Sequence, residues 1–302
     1  MIMNTLYDVP APAKINLFLH INGYRSDGYH FLQTVFRFIN LNDILNFELR
    51  SDGIISFEQF NNSNKIKSNN LILSAARILK KVTGTYKGVH ISLKKYIPLG
   101  SGLGGGSSDA ASTLIALNRL WETNLSRKNL MSLALKLGAD VPVFIFGQSA
   151  FAEGIGELLS KICLPDKAYL IICPNIRILT SKIFLDFNLT RNSKLMKIKD
   201  FSSVLDSSFG KNDFETVIYE SYPEILEISK LLKYENIQTR ISGSGSSLYA
   251  EYENLSEAIL AEQKITAIIR NGFKNIHKSC IELSLIKGCL GLNEHPLVNW
   301  IR

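Results

Sequence analysis

The segment PLGSGLGGGSSDAAS, from Pro98 to Ser112, contains the residues of this chain whose types and spacing best suit a chemical role. Five glycines lie between Gly100 and Gly106, and glycine permits positive φ angles and close approach to the backbone. An apolar helix pattern follows, so the amide N–H groups of the loop should converge on a helix N-terminus. Because this arrangement suits a phosphate group, the segment is predicted to be a nucleotide-triphosphate loop.

Other glycine-rich loops fit this segment poorly. A Walker A loop requires a lysine after its last glycine, and Ser107 stands at that position. Gly100, Gly102 and Gly105 match a dinucleotide fingerprint, but the helical pattern over 110–121 leaves no second strand with an acidic end. The Val-Ala-Ile-Lys strand of protein kinases is absent. A flexible linker would not run directly into a buried helix.

Asp140 and Lys14 are the candidate catalytic residues. Asp140 lies between a predicted helix end and an apolar run, where a carboxylate is costly without a partner or a role. It could orient and deprotonate an acceptor hydroxyl in phosphoryl transfer, or simply bond to backbone N–H groups in a turn. Lys14 could pair with Asp140 and stabilise developing charge; a solvated strand lysine is the alternative.

The composition is typical of a cytoplasmic enzyme. The chain has 302 residues, of which 46% are hydrophobic, enough for one large or two ordinary domains. It shows no apolar run of membrane-spanning length and no signal peptide, and its four cysteines lack metal-binding spacing. The net charge of +7 is spread along the chain, which favours diffuse attraction of nucleotides over a nucleic-acid-binding stripe. We therefore expect neither a nucleic acid nor a membrane as a partner.

Hydrophobic periodicity predicts an α+β chain. Residues 13–21 alternate as a strand, which places Lys14, Asn16, Phe18 and His20 on one face. We expect an N-terminal ATP-binding domain over 1–160 and a C-terminal α+β substrate domain over 161–302. Other expected features are a strand at 29–40, a hairpin turn at 51–53 within 45–60, a loop at 61–69, helices at 71–82, 107–121 and 126–138, strands at 89–94, 151–157 and 168–173, a mobile connection at 188–211, helices at 224–233 and 256–270, and strands at 239–241 and 247–252.

These motifs resemble those of the GHMP kinases, the superfamily of galactokinase, homoserine kinase and mevalonate kinase. The resemblance rests on Pro98, Gly102-Leu103 and Gly106-Ser107-Ser108, and on Gly138-Ala-Asp140-Val-Pro, which looks like the segment bearing the catalytic aspartate. It implies an α+β, two-domain GHMP kinase fold. The N-terminal domain would be ribosomal-protein-S5-like and the C-terminal domain ferredoxin-like.

The segment DGYHFLQT, from Asp27 to Thr34, is similar to a motif of one branch, the 4-diphosphocytidyl-2-C-methyl-D-erythritol kinases. In that branch the tyrosine stacks on cytosine, the histidine reads the edge of the base, and the segment that TSKIF (180–184) resembles supplies a second ring. PAKINL resembles its first motif and SGSGS (242–246) the third motif of the superfamily. The resemblance implies substrate contacts from Asn16, Tyr29, His30, Thr180, Phe184, Gly243 and Ser244.

The same resemblance implies the rest of the site. ATP would be bound by Asn70 near the adenine, Lys95 near the base, and the loop residues Pro98, Leu99, Gly100, Ser101, Gly102, Leu103, Gly104, Gly105, Gly106, Ser107 and Ser108. Mg²⁺ is expected with it, and Asp109 and Ser108 are candidate ligands by proximity, although Asp109 could equally cap the helix.

The implied reaction moves the γ-phosphoryl group of ATP to the 2-hydroxyl of the cytidine diphosphate substrate, in non-mevalonate isoprenoid biosynthesis. A kinase of homoserine, mevalonate or a sugar, or a catalytically silent nucleotide-binding module, are the alternatives. The chain is expected to be a monomer or a weak dimer. Nothing after Gly288 matches the family, so the tail from Leu290 to Arg302 is interpreted as an extension of unknown role.

Overall fold

Two long antiparallel strands form the centre of the molecule. The computed structural model describes residues 4–60, 70–186, 188–197, 211–272 and 282–301. Strand β1 pairs with β2 from Thr5 opposite Glu48 to Tyr24 opposite His30. The strands are β1 (Thr5–Tyr24), β2 (His30–Arg50), β3 (Ile55–Gln59), β4 (Gly88–Lys94), β5 (Ala150–Glu153), β6 (Leu158–Lys161), β7 (Ala168–Pro174), β8 (Arg240–Ile241), β9 (Leu248–Tyr252) and β10 (Leu283–Leu292).

The helices cover the sheet on the side where the apolar residues of the strands face. They are α1 (Leu71–Thr83), α2 (Gly105–Leu120), α3 (Arg127–Leu135), α4 (Val141–Phe146), α5 (Thr180–Leu185), α6 (Glu215–Ser221), α7 (Pro223–Tyr234) and α8 (Leu255–Gly272), followed by a 3₁₀ turn at Val298–Trp300. Asn70 caps α1 by accepting a hydrogen bond from Leu73 N, and Ser126 caps α3 in the same way. None of the helices in the described residues is long and apolar enough to cross a membrane.

The sheet joins the two halves of the chain through its last strand. Its order is β3-β4-β2-β10-β7-β9-β8, with β1 and β5 also paired to β2. In β10, Gly291 lies opposite Ile39 of β2, while the preceding residues pair with β7. One apolar core lies between β1, β2, β4 and helices α1 to α4, and a second lies among β7, β9 and helices α5 to α8. Leu19 and Ile21 of β1 belong to the second core, and Leu297 and Ile301 belong to the first, so the two cores do not divide the chain at a single residue.

The expected hairpin around 51–53 is wrong. Strand β3 runs parallel to β4, and β4 pairs on its other edge with β2. The turn at Ser51–Gly53 is present, but β4 lies between the two strands that it connects. The loop expected at 61–69 and the part of the connection at 198–210 lie outside the described residues.

The alternation expected in β1 is interrupted by a β-bulge. The register shifts between Asn16, opposite Phe36, and Leu19, opposite Thr34. A bulge adds one residue to a strand and reverses the faces beyond it. Lys14 and Asn16 therefore share a face as predicted, but Leu19 joins them on the cleft instead of Phe18, which packs in a separate cluster.

Candidate active site

Lys14 and Asp140 face each other across a cleft. Lys14 Nζ lies 3.3 Å from Asp140 Oδ2, and the side-chain exposure is 4% for the lysine and 41% for the aspartate. Lys14 Nζ also donates to Asn16 Oδ1 at 2.7 Å, and Asn16 Nδ2 donates to Thr34 Oγ1 at 2.9 Å. The ammonium group is thus held by the neutral side chain of Asn16 on its own strand, which Thr34 of β2 supports in turn, while the carboxylate remains accessible to a substrate.

Asp140 is not used to cap a helix. It stands at the N-cap position of α4, yet its side chain makes no capping hydrogen bond. This differs from the alternative in which the carboxylate bonds to backbone N–H groups of a turn. Its partner is the ammonium group of Lys14, so a carboxylate with free oxygen lone pairs points at the cleft.

Backbone packing around Lys14 requires glycine in the loop. Gly104 has φ of 72°, and a Cβ there would lie 3.0 Å from Lys14 Cε and 3.1 Å from Phe144 Cζ. Lys14 N donates to Leu103 O at 2.9 Å, and Lys14 Nζ lies 5.2 Å from the ring centroid of Phe36. The loop and β1 are therefore held at van der Waals distance, which brings the lysine to the N-terminus of α2.

The loop also packs against the second glycine-rich segment, residues 242–246. A Cβ on Gly102 would lie 2.4 Å from Ser242 O and 2.8 Å from Gly245 O. Ser247 N donates to Ser101 O at 3.0 Å. Two backbone turns from distant parts of the chain thus lie in direct contact, and both present residues to the same cleft.

The cleft has a volume of about 360 Å³. Gly100, Gly102, Gly104 and Ser107 of the loop line it, and so do Thr180 and Phe184 of α5. The other lining residues that the sequence predicted are Lys14, Asn16, Asp140, Gly243 and Ser244. The structure thus brings half of the 22 site residues expected from the sequence into one cavity, and Asn70, Tyr29, His30 and Lys95 are among those that do not line it.

The aromatic end of the cleft differs from the expected arrangement. Phe184 stacks on His30, with ring centroids 5.0 Å apart and an interplanar angle of 26°, whereas Tyr29 is 57% exposed and does not line the cleft. Thr180 Oγ1 lies 2.7 Å from Ser244 Oγ. Tyr29 and Phe184 therefore do not face each other as two sides of a sandwich, because the imidazole of His30 lies against the Phe184 ring.

The structure corrects the place of Lys95. Its ammonium is 3% exposed and forms ion pairs with Asp43 and Asp109. Burial alone would lower the pKa of Lys95, but the two carboxylates outweigh it and raise the pKa. Lys95 is therefore a buried support beneath the loop, where a Cβ on Gly105 would lie 3.0 Å from its Nζ, and it does not line the cleft as an ATP-base contact would.

The two candidate Mg²⁺ ligands are also buried. Asp109 is 1% exposed and Ser108 is fully buried, and burial raises the pKa of Asp109 to about 7. Asp109 Oδ2 is directed at Lys95, at 2.7 Å, so the carboxylate points away from the cleft. Among the described residues, no group of three or more His, Cys, Asp or Glu side chains is arranged to hold a metal ion.

Oxygen donors that Mg²⁺ could use are nevertheless present at the loop. Asp140 and Ser107 both line the cleft, and Mg²⁺ commonly binds one or two carboxylates together with substrate phosphates.

Asn70, expected near the adenine, uses its side-chain oxygen to cap α1.

Sequence reasoning missed several residues of this site. Thr34 supports Asn16, and Phe36 contacts Lys14. Arg177 packs over Gly100, where a Cβ would lie 3.0 Å from Arg177 Cγ. Arg191 donates to His30 Nε2. The pairing register of β2 could have identified Thr34 and Phe36, but no local pattern marks the two arginines.

Comparisons with known proteins show the family of the chain. The family model described as GHMP kinases N terminal domain matches residues 70–148, and that described as GHMP kinases C terminal matches residues 192–271. The chain is 52% identical to a Bordetella parapertussis 4-diphosphocytidyl-2-C-methyl-D-erythritol kinase over 297 residues, which cover 98% of this chain and 99% of the relative.

Solved structures show the same fold. A crystal structure of 4-(cytidine 5'-diphospho)-2C-methyl-D-erythritol kinase matches with a TM-score of 0.74 and 29% identity, covering 93% of this chain and 98% of that one. A homoserine kinase from Cytophaga hutchinsonii matches with a TM-score of 0.66 and 18% identity, covering 98% and 96%; the likeness to this second protein concerns the fold alone.

Proposed function

The chain belongs to the GHMP kinase family, in the branch of the 4-diphosphocytidyl-2-C-methyl-D-erythritol kinases, and we propose that Lys14 and Asp140 carry its phosphoryl transfer. It is an ATP-dependent kinase of the cytidine diphosphate substrate, in non-mevalonate isoprenoid biosynthesis. The observation that carries the proposed roles is the pair itself: a half-exposed carboxylate with no capping bond, 3.3 Å from a buried ammonium, beside the glycine-rich loop.

The phosphates of ATP bind at the start of α2. The loop from Pro98 to Ser108 presents backbone N–H groups there, and the positive end of the helix dipole favours the added negative charge. Glycines with φ between 67° and 80° at positions 100, 102 and 104 keep side chains out of this space. Arg177, which lies over Gly100, adds positive charge beside the loop.

Asp140 orients the acceptor hydroxyl and accepts its proton. A carboxylate in this place acts as a general base, and phosphoryl transfer depends mainly on such positioning and on charge stabilisation. Lys14, whose Nζ lies 3.3 Å from that carboxylate, stabilises the charge that develops on the transferring group. Asn16, whose Oδ1 accepts a hydrogen bond from the ammonium group of Lys14, contacts the erythritol part of the substrate.

The cytosine binds at the aromatic end of the cleft. Phe184 lines the cleft there, and His30 stacks on its ring. The exposed ring of Tyr29 moves over the base when the substrate binds, and Thr180, Gly243 and Ser244 hold the rest of the substrate. Stacking of a base on an aromatic ring contributes about 1–3 kcal/mol.

Mg²⁺, when bound with ATP, neutralises charge on the β- and γ-phosphates, and Ser107, which lines the cleft at the loop, is the residue that would hold it together with the phosphates. The domain division at residue 160, a monomer or weak dimer, and a cytoplasmic location are further parts of the proposal. The free cysteines Cys163, Cys173 and Cys289 support a reducing location; Cys280 lies outside the described residues.

Phosphoryl transfer from labelled ATP tests the proposal. We expect turnover with the cytidine diphosphate substrate, and none with homoserine, mevalonate or galactose. Tyr29→Ala and Phe184→Ala should raise the KM for the cytidine substrate. Turnover of one of the other acceptors, with a KM that these substitutions leave unchanged, would favour a different GHMP kinase activity. Binding of ATP without turnover of any acceptor would favour a silent nucleotide-binding module.

A further inference from the structure

Arg177 lies against the start of the glycine-rich loop. A Cβ on Gly100 would lie 3.0 Å from Arg177 Cγ and 3.4 Å from its Nε, so the stem of the arginine packs on this glycine. Arg177 is exposed, and among the described residues no carboxylate forms an ion pair with its guanidinium. A positive charge that no described side chain neutralises therefore stands beside the loop.

The neighbours of Arg177 place this charge at the rim of the cleft. Gly100, under the stem of Arg177, and Ile178, the next residue in the chain, both line the cleft, although Arg177 itself does not. Thr180 and Phe184 continue the lining along the same segment. The guanidinium therefore borders the stretch of the cleft that residues 178–184 line.

The lining of the cleft carries little charge for the substrates that it would hold. Among the described residues that line it, Lys14 is the only lysine or arginine and Asp140 the only acidic residue, and the two form an ion pair. The lining thus has no net charge, whereas ATP and a nucleoside diphosphate ester are both polyanions. Arginine binds phosphate oxygens through a planar fork of N–H donors, so a guanidinium at the rim supplies charge that the lining lacks.

The two ends of the loop lie near different parts of the chain. A Cβ on Gly106 would lie 3.9 Å from Leu71 Cδ1 of α1, and Gly104 precedes the first residue of α2. The phosphates of ATP are placed at this end by the proposed function. Gly100 is at the other end, beside Arg177, so the guanidinium stands apart from the start of α2.

We propose that Arg177 binds the diphosphate of the acceptor, so that the enzyme prefers an acceptor carrying this group. The inference rests on the proposed function, which places the reacting hydroxyl at Asp140 and the pyrimidine beside Phe184. The diphosphate joins these two parts covalently and must lie between them, where Thr180 lines the cleft three residues after Arg177. A hydrogen bond between a guanidinium and a phosphate is stronger than one between neutral groups.

The experiment on the full chain separates the contribution of the diphosphate from that of the base. Cytidine and cytidine 5'-diphosphate are titrated by calorimetry into wild type, Arg177→Met and Arg177→Lys, with the ATP site filled by a non-hydrolysable ATP analogue and Mg²⁺. The KM values for the acceptor and for ATP are measured on the same proteins at low and at high salt. Arg270→Met, which removes an exposed positive charge from α8, is the matched control.

We expect Arg177→Met to weaken the binding of cytidine 5'-diphosphate and to raise the KM for the acceptor by about 10- to 100-fold, the contribution of one charge-assisted hydrogen bond. Binding of cytidine, kcat and the KM for ATP should stay within about threefold, since none of them uses the contact; a purely structural defect would weaken cytidine as well. Arg177→Lys keeps the charge without the fork and should lie between the two. Because salt screens exposed charges, high salt should raise the acceptor KM more in wild type than in Arg177→Met.

An unchanged affinity of Arg177→Met for cytidine 5'-diphosphate, an equal loss for cytidine and its diphosphate, or an increase confined to the KM for ATP would overturn the proposal. The last of these results would assign the guanidinium to the triphosphate instead. Wild type that binds neither cytidine ligand and does not turn over the acceptor would contradict the proposed function, and the inference with it. Wild type that binds both ligands, with an Arg177→Met variant that binds them equally well, would overturn the inference alone.

Discussion

Replacement of Asp140 by asparagine removes the acidic oxygen with little change in shape. The pair joins a carboxylate that is 41% exposed to an ammonium that is 4% exposed, and the ammonium keeps Asn16 Oδ1 as a hydrogen-bond acceptor after the substitution. The side chain caps no helix, so the variant should fold normally. The loop that binds ATP consists of backbone groups that this substitution does not touch, and the dissociation constant for ATP should change by no more than a few-fold.

The effect on turnover should be much larger. General base catalysis contributes roughly 10²–10⁴-fold, which corresponds to a barrier increase of about 3–5 kcal/mol. We expect kcat for the cytidine diphosphate substrate to fall by that factor in a steady-state assay of ADP release. Binding of ATP by calorimetry and thermal unfolding are measured on the same samples. Asp166→Asn, at an exposed aspartate that does not line the cleft, is the matched control. Near-normal kcat in Asp140→Asn would remove the aspartate from the mechanism.

Three further predictions concern the supports of the site. Gly104→Ala should reduce kcat more than about 10-fold, because the new Cβ would lie 3.0 Å from Lys14 Cε at a backbone φ of 72°; a normal rate would show that the lysine position is unimportant. Lys95→Met leaves Asp43 and Asp109 buried without their counter-charge and should lower the free energy of unfolding at pH 7 by about 3–5 kcal/mol, measured by urea denaturation. Burial lowers the pKa of His295 from 6.5 to about 3; the unfolded chain therefore binds more protons between these values, and this group should cost about 2 kcal/mol of stability as the pH falls from 7 to 5. In His295→Asn the side-chain oxygen can replace Nδ1 as the acceptor for Leu297 N. The free energy of unfolding of this variant should not show this fall between pH 7 and pH 5, and an unchanged pH dependence would contradict the prediction.

Sequence reasoning succeeded for structural features that depend on residues close together in the sequence. The α+β class and the family are confirmed, and helix α1 begins and ends within one residue of the expected 71–82. Lys14 and Asn16 lie on one face because they are two residues apart in a strand. The glycine-rich loop leads into a buried helix, as the apolar pattern after it indicated.

Properties set by contacts between distant segments could not be predicted in this way. The turn at 51–53 suggested a hairpin, but a strand about 40 residues later occupies the space between its arms. Lys95 lies next to the loop in sequence, yet its side chain points towards Asp43, 52 residues away, to which its ammonium group donates a hydrogen bond. Arg191 is separated from His30 by 161 residues, and no spacing rule connects them.

The C-terminal tail, for which the sequence suggested no role, is part of the N-terminal core. His295 is 1% exposed beside Phe38 and Phe144. Arg127 donates to Ile145 O and to Val298 O, both at 2.6 Å, which joins the end of α4 to the tail. Since α4 begins directly after Asp140 and is only six residues long, a tail that fixes its far end also limits the movement of the carboxylate at its start.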